Sequence, residues 1–327
     1  MMRAWQVDKI GTIAQQRRIA PPEPGPRDVL IKVAACGLNF ADLLMQDGKY
    51  QEHPSLPYVP GLEFAGTVIK LGVDVKRSDH PDISLGQRVC AFAGSGGLAE
   101  TACVPVDRLV LMPDSMSFAQ AAAFQIAYGT SHLALHHRAR LQPGETLLVL
   151  GAAGGVGLTA VEIGKKLGAR VIACARGAEK LAIARTAGAD VVIDSDAGDL
   201  RGTLKALGGI DVVYDPVGGP GFEAALSACK PEGRLLTIGF ASGAVPQIAA
   251  NRLLVKNLTV IGLYWGGYLT FAPQVLTGSL NTLVEWFADG SLKPHVSHTL
   301  PFDHYPEGLE LLHSRQATGK VVITIPL

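Results

Sequence analysis

The chain has 327 residues, of which 48% are hydrophobic, 18% charged and 38 glycine, enough for two domains that each bury a core. Its 29 Lys and Arg offset 29 Asp and Glu, and no segment concentrates basic residues, which argues against a nucleic-acid or anionic-membrane binder. The five cysteines, Cys36, Cys90, Cys103, Cys174 and Cys229, are scattered with no CxxC pair, so neither a disulfide framework nor a structural zinc lobe is expected.

The opening MMRAWQVDKIG lacks the apolar run of a signal peptide, and no stretch of about 18 apolar residues follows, so a cytoplasmic location is expected. From Arg3 to about Phe118 short strands alternate with Pro and Gly turns. DVLIKVAACGL (28–38), FAGTVIKLG (64–72) and QRVCAFA (87–93) read as strands of an irregular, strand-rich domain. The texture changes at Ser117, a plausible helix cap, after which an alanine-rich helical stretch leads onward.

At 146–157 comes TLLVLGAAGGVG, a buried strand, a glycine turn and the start of a helix in immediate succession. The spacing is GxxGxxG. Gly151 permits the tight turn, Gly154 lets backbone amides approach a pyrophosphate, and Gly157 lets helix and strand pack closely. Phosphates would then meet unpaired amides at a helix N-terminus. Five further strands are expected at 170–175, 191–194, 211–214, 234–239 and 259–264, with helices such as 179–187 and 221–228 between most of them. Six parallel strands joined by right-handed crossovers make a doubly wound dinucleotide-binding sheet. After Trp265 a helix (282–288), a Pro-containing extended segment, a helix near 307–314 and a final strand, KVVITIPL, return to the first domain. The expected division is therefore 1–122 with 267–327 for one domain and 123–266 for the other.

A dinucleotide site that prefers NAD usually carries Asp or Glu at the end of the second strand, to hold the ribose hydroxyls. Here that strand ends in Arg176, with Lys180 nearby, charges that attract a 2′-phosphate. NADPH is the expected cofactor. The alternative is that Arg176 and Lys180 are solvated residues at a helix start. His132, His136 and His137 form the densest histidine group; with no third ligand in view they read as surface or interdomain residues rather than a metal site.

Six stretches in order carry a resemblance that runs nearly end to end: GLNFAD (37–42), PGLEFAG (60–66), the glycine turn (151–157), DVVYDPVGG (211–219), GFASG (239–243) and ATGKVV (317–322). The chain resembles the medium-chain dehydrogenase/reductase superfamily and, within it, the zinc-independent NADPH:quinone oxidoreductases related to zeta-crystallin. The resemblance implies an α/β protein in which a GroES-like β-rich catalytic domain carries an inserted Rossmann domain, with the cofactor in the cleft between them and a homodimer as the assembly. The zinc-dependent alcohol dehydrogenases have metal ligands where this chain has Asn39, Leu62 and a residue near Ile126, so no metal is expected; Glu63 remains as a carboxylate with no evident partner, read as structural.

By the same resemblance Asn39 and Tyr50 line the substrate pocket, where the amide and the phenol could donate to an acceptor oxygen. Their bland readings are a helix cap and a loop aromatic. Asp42 reads as structural. Cofactor contacts are implied at Thr130, Gly151, Ala153, Gly154, Gly155, Val156, Gly157, Arg176, Lys180, Gly239, Phe240, Ser242, Tyr264 and Arg315. Two positions depart from the family: Leu44 and Ser195 stand where relatives often carry Tyr, the second beside the 2′-phosphate. Without a metal to stabilise an alkoxide, the expected reaction is hydride transfer from NADPH to an already electrophilic acceptor, a quinone or an α,β-unsaturated carbonyl. Rival readings are an enoyl-thioester or activated-alkene reductase, and a nucleotide-binding protein with a structural or RNA-associated role.

Overall fold

The computed structural model describes residues 1–75 and 83–326, and the chain forms two compact units, Met1–Ile126 with Pro294–Leu327 and Ala127–Lys293. The first is built on one long strand. After the hairpin β1 (Met2–Gln6) and β2 (Gln15–Ile19), β3 (Asp28–Leu38) runs for 11 residues and supports three neighbours. Its first half pairs antiparallel with β6 (Thr101–Pro105), its length with β4 (Glu63–Leu71), and its last residues with β15 (Lys320–Thr324). The sheet extends through β5 (Arg88–Phe92) to β7 (Leu109–Leu111) on one side and from β15 to β14 (Val296–Pro301) on the other.

The burial pattern of β3 explains its position. Val29, Ile31 and Val33 alternate into the core as expected of a half-buried strand, but from Val33 to Leu38 every residue is buried. That second half is small-residue sequence, Ala-Ala-Cys-Gly, because helix α2 (Phe118–Ala122) lies on it: a Cβ at Gly37 would stand 2.0 Å from the Ala122 carbonyl oxygen. Ser117 caps α2 as expected, in a capping box with Gln120. Helix α1 (Phe40–Gln46) starts directly where β3 stops, with Asn39 as the turning residue.

In the second unit, α3 (Gln125–His132) enters and continues as a π-helical turn over Leu133–Arg138. The parallel strands β8 (Thr146–Leu150), β9 (Arg170–Ala175), β10 (Val191–Asp194), β11 (Ile210–Asp215), β12 (Cys229–Thr237) and β13 (Thr259–Gly262) stand in the order β10-β9-β8-β11-β12-β13. The helices α4 (Gly155–Lys166), α5 (Ala178–Thr186), α6 (Leu200–Ala206), α7 (Pro220–Ala228) and α8 (Ala250–Leu254) lie between successive strands. The chain starts in the middle of the sheet, winds outward to β10, returns past β8 and winds the other way. Every residue of β8 is buried, which is why it reads as an unbroken apolar run.

The expected elements match to within a few residues, with three informative differences. β12 begins at Cys229 rather than 234, because Cys229 opposes Ile210 before a register shift brings Arg234 opposite Val212. After α9 (Tyr268–Phe271), α10 runs from Pro273 to Ala288, longer than the expected 282–288; Pro273 at its first turn has a backbone angle already suited to a helix. The third difference moves a boundary. Residues 267–293, expected with the first domain, pack with the second unit: Ser279 on α10 meets His132 Nδ1 at 2.7 Å, Trp286 lies edge-on to the His132 ring, and the Lys293 amide donates to Glu162.

Of the three histidines expected to be surface or interdomain residues, His132 is buried, while His136 and His137 are exposed. The His132 ring stacks on His136, and burial lowers its pKa to about 4. Helix α11 (Tyr305–His313) then precedes β15; of the expected final strand, Leu327 lies outside the described residues. Among the described residues no helix is long and apolar enough to cross a membrane.

Phe222, on α7, is 1% exposed and packs with Leu148, Leu150 and Leu235 in the core of the second unit. Phe222→Ala is expected to destabilise that unit by about 3–5 kcal/mol, read as a lower urea midpoint for its unfolding transition.

Candidate functional site

The second unit gathers its loops at one edge, the carboxyl ends of its parallel strands. β8 ends at Gly151, whose φ of 58° lies in the left-handed region that an L side chain resists. The turn then reverses through Ala152 and Ala153, Gly154 takes an extended conformation, and α4 starts at Gly155. A Cβ on Gly157 would stand 2.2 Å from the Gly151 carbonyl oxygen, so only glycine lets the helix approach the turn this closely. The amides of Gly155, Val156 and Gly157 precede any carbonyl of their own helix that could accept from them. They form an N-terminal cradle suited to a phosphate group.

A buried network holds the cradle from below. The Ser131 hydroxyl lies 2.9 Å from Tyr214 Oη, 2.8 Å from Thr159 Oγ1 and 2.9 Å from the Val156 carbonyl, and Thr159 donates to Ala127 O. It joins α3, which also carries the buried Thr130, to α4 and β11. At the end of β11 the Asp215 carboxylate accepts the amides of Val217 and Gly218, shaping the next loop, and burial raises its pKa. Gly239, the exposed Phe240 and Ser242 follow β12; the Ser242 amide donates to Val217 O, tying the two loops together. Tyr264 follows β13.

Arg176 follows β9 and Lys180 lies in the first turn of α5. Arg176 is not alone: its Nε lies 3.1 Å from Asp196 Oδ2, an exposed pair across the loops that follow β9 and β10. Ser195 stands beside them, its amide bonded to Ala175 O.

The first unit holds a different cluster at the end of β3. Lys320 Nζ donates to Leu38 O at 2.8 Å, Asn39 Oδ1 at 2.6 Å and Glu63 Oε1 at 2.8 Å, which accounts for all three of its hydrogens. The Lys320 and Glu63 side chains are only 7% and 1% exposed. Asn39 Nδ2 donates to Glu63 Oε1 at 3.1 Å and to Gly37 O at 3.3 Å, while Glu63 Oε2 accepts the Ile126 amide at 2.9 Å. Asn39 occupies the N-cap position of α1, and its amide N–H donates to Asp42 Oδ2, but its side chain is turned into the cluster. Asp42 also accepts the Gly61 amide, and burial pushes its pKa up to about 6.

Tyr50 is half-buried; desolvation, with Glu52 and Asp42 adding, pushes its phenol up to about 12. Arg315 follows α11 with a left-handed φ of 57°, exposed at the surface of this unit.

Residues 25–114 match the family described as alcohol dehydrogenase GroES-like domain, and residues 155–284 the one described as zinc-binding dehydrogenase. Quinone oxidoreductase-like protein 2 homolog of Nematostella vectensis is 42% identical over 98% of this chain and 88% of its own length. The chain belongs to the quinone oxidoreductases of the medium-chain dehydrogenase/reductase superfamily. Two solved structures of that family resemble it throughout. The quinone oxidoreductase of Thermus thermophilus, known also in complex with NADPH, superposes with a TM-score of 0.87 at 33% identity, covering 99% of this chain and 100% of its own. The Escherichia coli quinone oxidoreductase complexed with NADPH gives 0.88 at 31% identity, covering 99% of both chains.

The family description mentions zinc, but the donor set in this chain does not fit it. Leu62 and Ile126 offer no ligand atom, and the Asn39 carbonyl oxygen faces the Lys320 ammonium, a charge of the same sign as a metal ion. Among the described residues no group of three or more His, Cys, Asp or Glu could hold a metal. The glycine cradle, by contrast, fits a dinucleotide pyrophosphate.

Two features were not read from the sequence. Glu63, expected to lack a partner, has one in Lys320, 257 positions away. Its only sequence signal was that Lys320 sits in one of the six family stretches. Asp196 was missed because its role depends on which strand lies beside β9.

Removing one member of a buried ion pair leaves the other charged and unsatisfied. Lys320→Met is expected to destabilise the first unit by about 3–5 kcal/mol, and adding Glu63→Gln should recover a large part of that loss in urea unfolding. Asp42 holds its proton in the native state up to about pH 6, above the ordinary carboxylate range of the unfolded chain. Its contribution to stability is therefore fully present below about pH 4 and declines as pH rises through 6, by about 3 kcal/mol in all. Asp42→Asn should remove that decline from the pH dependence of the unfolding free energy.

Proposed function

We propose that this protein reduces quinones and α,β-unsaturated carbonyl compounds with NADPH and without a metal ion. The observation that carries the reading is the Asn39–Glu63–Lys320 cluster: where a metal-dependent relative would need ligands, this chain has a self-satisfied network of an amide, a carboxylate and an ammonium. Such a network offers no Lewis acid for deprotonating an alcohol, but it can fix a neutral hydrogen-bond donor for an acceptor that is already electrophilic.

The bound nicotinamide supplies the hydride. The chain's part is to hold the dinucleotide and orient the acceptor. In this reading Gly151, Ala153, Gly154, Gly155, Val156 and Gly157 cradle the pyrophosphate, Arg176 and Lys180 attract the 2′-phosphate, and Arg315 is assigned to the cofactor by the family resemblance alone. Thr130, Gly239, Phe240, Ser242 and Tyr264 contact the rest of the cofactor. The solved complexes of the two relatives with NADPH support this choice of dinucleotide.

Asn39 and Tyr50 take the acceptor. Of the two Asn39 amide hydrogens, one is committed to Glu63; the other donates to Gly37 O at the longer 3.3 Å, and in this reading it exchanges that bond for the acceptor oxygen. Lys320 on Oδ1 and Glu63 on Nδ2 hold the amide in one of its two flipped orientations, so its donor side is pre-set. Tyr50, its phenol protonated far above neutral pH, is a second donor or a ring for stacking.

NADPH oxidation with 1,4-benzoquinone, 9,10-phenanthrenequinone, 2-alkenals and crotonyl-CoA tests the assignment, with turnover expected on the quinones or alkenals. Loss of one pre-oriented donor typically costs about 2.7–4 kcal/mol, so Asn39→Ala should lower kcat by about 10²–10³-fold with NADPH affinity unchanged. Tyr50→Phe should have a smaller effect in the same direction. Unchanged turnover in Asn39→Ala would remove Asn39 from the mechanism, and turnover on crotonyl-CoA alone would move the acceptor to thioesters.

A further inference from the structure

The loops after β9 and β10 are stitched together by backbone amides that donate to a carbonyl and to the Asp194 carboxylate. The Ser195 amide donates to Ala175 O at 3.0 Å, and Asp194 Oδ1 accepts the amides of Asp196 at 3.1 Å and Gly177 at 3.4 Å. This fixes residue 196 opposite residue 176. The Asp196 carboxylate therefore reaches Arg176 Nε, at 3.3 Å through Oδ1 and 3.1 Å through Oδ2, and Ser195 Oγ lies 3.4 Å from Oδ1. A guanidinium at the end of the second strand of a doubly wound sheet is where the adenosine ribose and any 2′-phosphate are bound. Here that guanidinium already has an anion, supplied by the chain itself.

We propose that Asp196 is a specificity-determining residue for the cofactor. Its carboxylate neutralises Arg176 before the cofactor binds, and a 2′-phosphate must displace it. The inference rests on NADPH being the cofactor. The side chains of Arg176 and Asp196 are 68% and 60% exposed, so the pair is loose enough to open. Once opened, Asp196 still stands beside a phosphate dianion and repels it, while Lys180 on α5 attracts it and Glu179 adds a second carboxylate to that helix turn. Both effects of Asp196 weaken binding of the phosphorylated cofactor. Neither touches the unphosphorylated one, whose ribose hydroxyl is neutral. The residue thus narrows the gap between NADPH and NADH that Arg176 opens.

The test is direct binding, by calorimetry or nicotinamide fluorescence, to the wild-type protein, D196N, D196A, R176A and R176A/D196N. The ligands are NADPH, NADH, 2′,5′-ADP and 5′-AMP. In D196N and D196A, NADPH and 2′,5′-ADP are expected to bind about three- to tenfold more tightly, and NADH and 5′-AMP within about twofold of wild type. The gain should shrink in the R176A background and at high salt. Equal changes for the phosphorylated and unphosphorylated ligands, or none for either, would overturn the role of Asp196. A wild-type protein that binds NADH but not NADPH would overturn the cofactor reading first, and this one with it. An unchanged melting temperature in D196N separates both outcomes from misfolding.

Discussion

A lysine ammonium buried against a glutamate carboxylate is the constraint around which the first unit is arranged. Neither charge would be stable there alone, since moving an isolated ion out of water costs several kcal/mol or more. Lys320 comes from the last strand, Glu63 from the start of β4, and Asn39 from the turn directly after β3; the three meet only because β15 and β4 flank β3 on opposite sides. Pairing of the strands and pairing of the charges are thus the same event. The cluster then reaches further: Glu63 holds the Ile126 amide at the entry to α3, and the Asn39 backbone holds Asp42, which in turn holds Gly61.

That network also bears on the chemistry proposed for the position. An alcohol dehydrogenase relying on a metal needs softer or anionic ligands converging on an open coordination site. Here the oxygen that could face a cation faces an ammonium, and Leu62 and Ile126 are aliphatic. The proposed reading uses the Asn39 amide as a pre-set donor, since such donors assist reactions in which negative charge develops on an acceptor oxygen.

The second unit works by a different principle. Its sheet is parallel, so every strand ends at the same edge, and residues far apart in the chain are delivered to one rim: the glycine turn after β8, Arg176 after β9, Asp196 after β10, the Asp215 loop after β11 and Gly239 to Ser242 after β12. Neighbouring loops are tied to one another by backbone hydrogen bonds, from the Ser195 amide to Ala175 O and from the Ser242 amide to Val217 O. The Arg176–Asp196 contact is a direct product of this arrangement, since strands β9 and β10 are adjacent and in register from Val191 opposite Ile172 to Asp194 opposite Ala175.

Much of this could be read from the amino-acid sequence. An unbroken apolar run ending in GAAGGVG is a local signature, because buried strand, turn and helix start each depend on residues close together in the chain; the repeated strand and helix periods then determined the doubly wound sheet. Arg176 in place of a carboxylate was legible for the same reason. What the tertiary structure alone decided was partnership. That Glu63 has a counter-charge, that Arg176 already holds an anion, that His132 is buried and that α10 belongs with the second unit all depend on contacts between residues roughly 20 to 257 positions apart. Charge type and periodicity are properties of single residues and their near neighbours. Which charges meet is a property of strand order, and no local pattern encodes it.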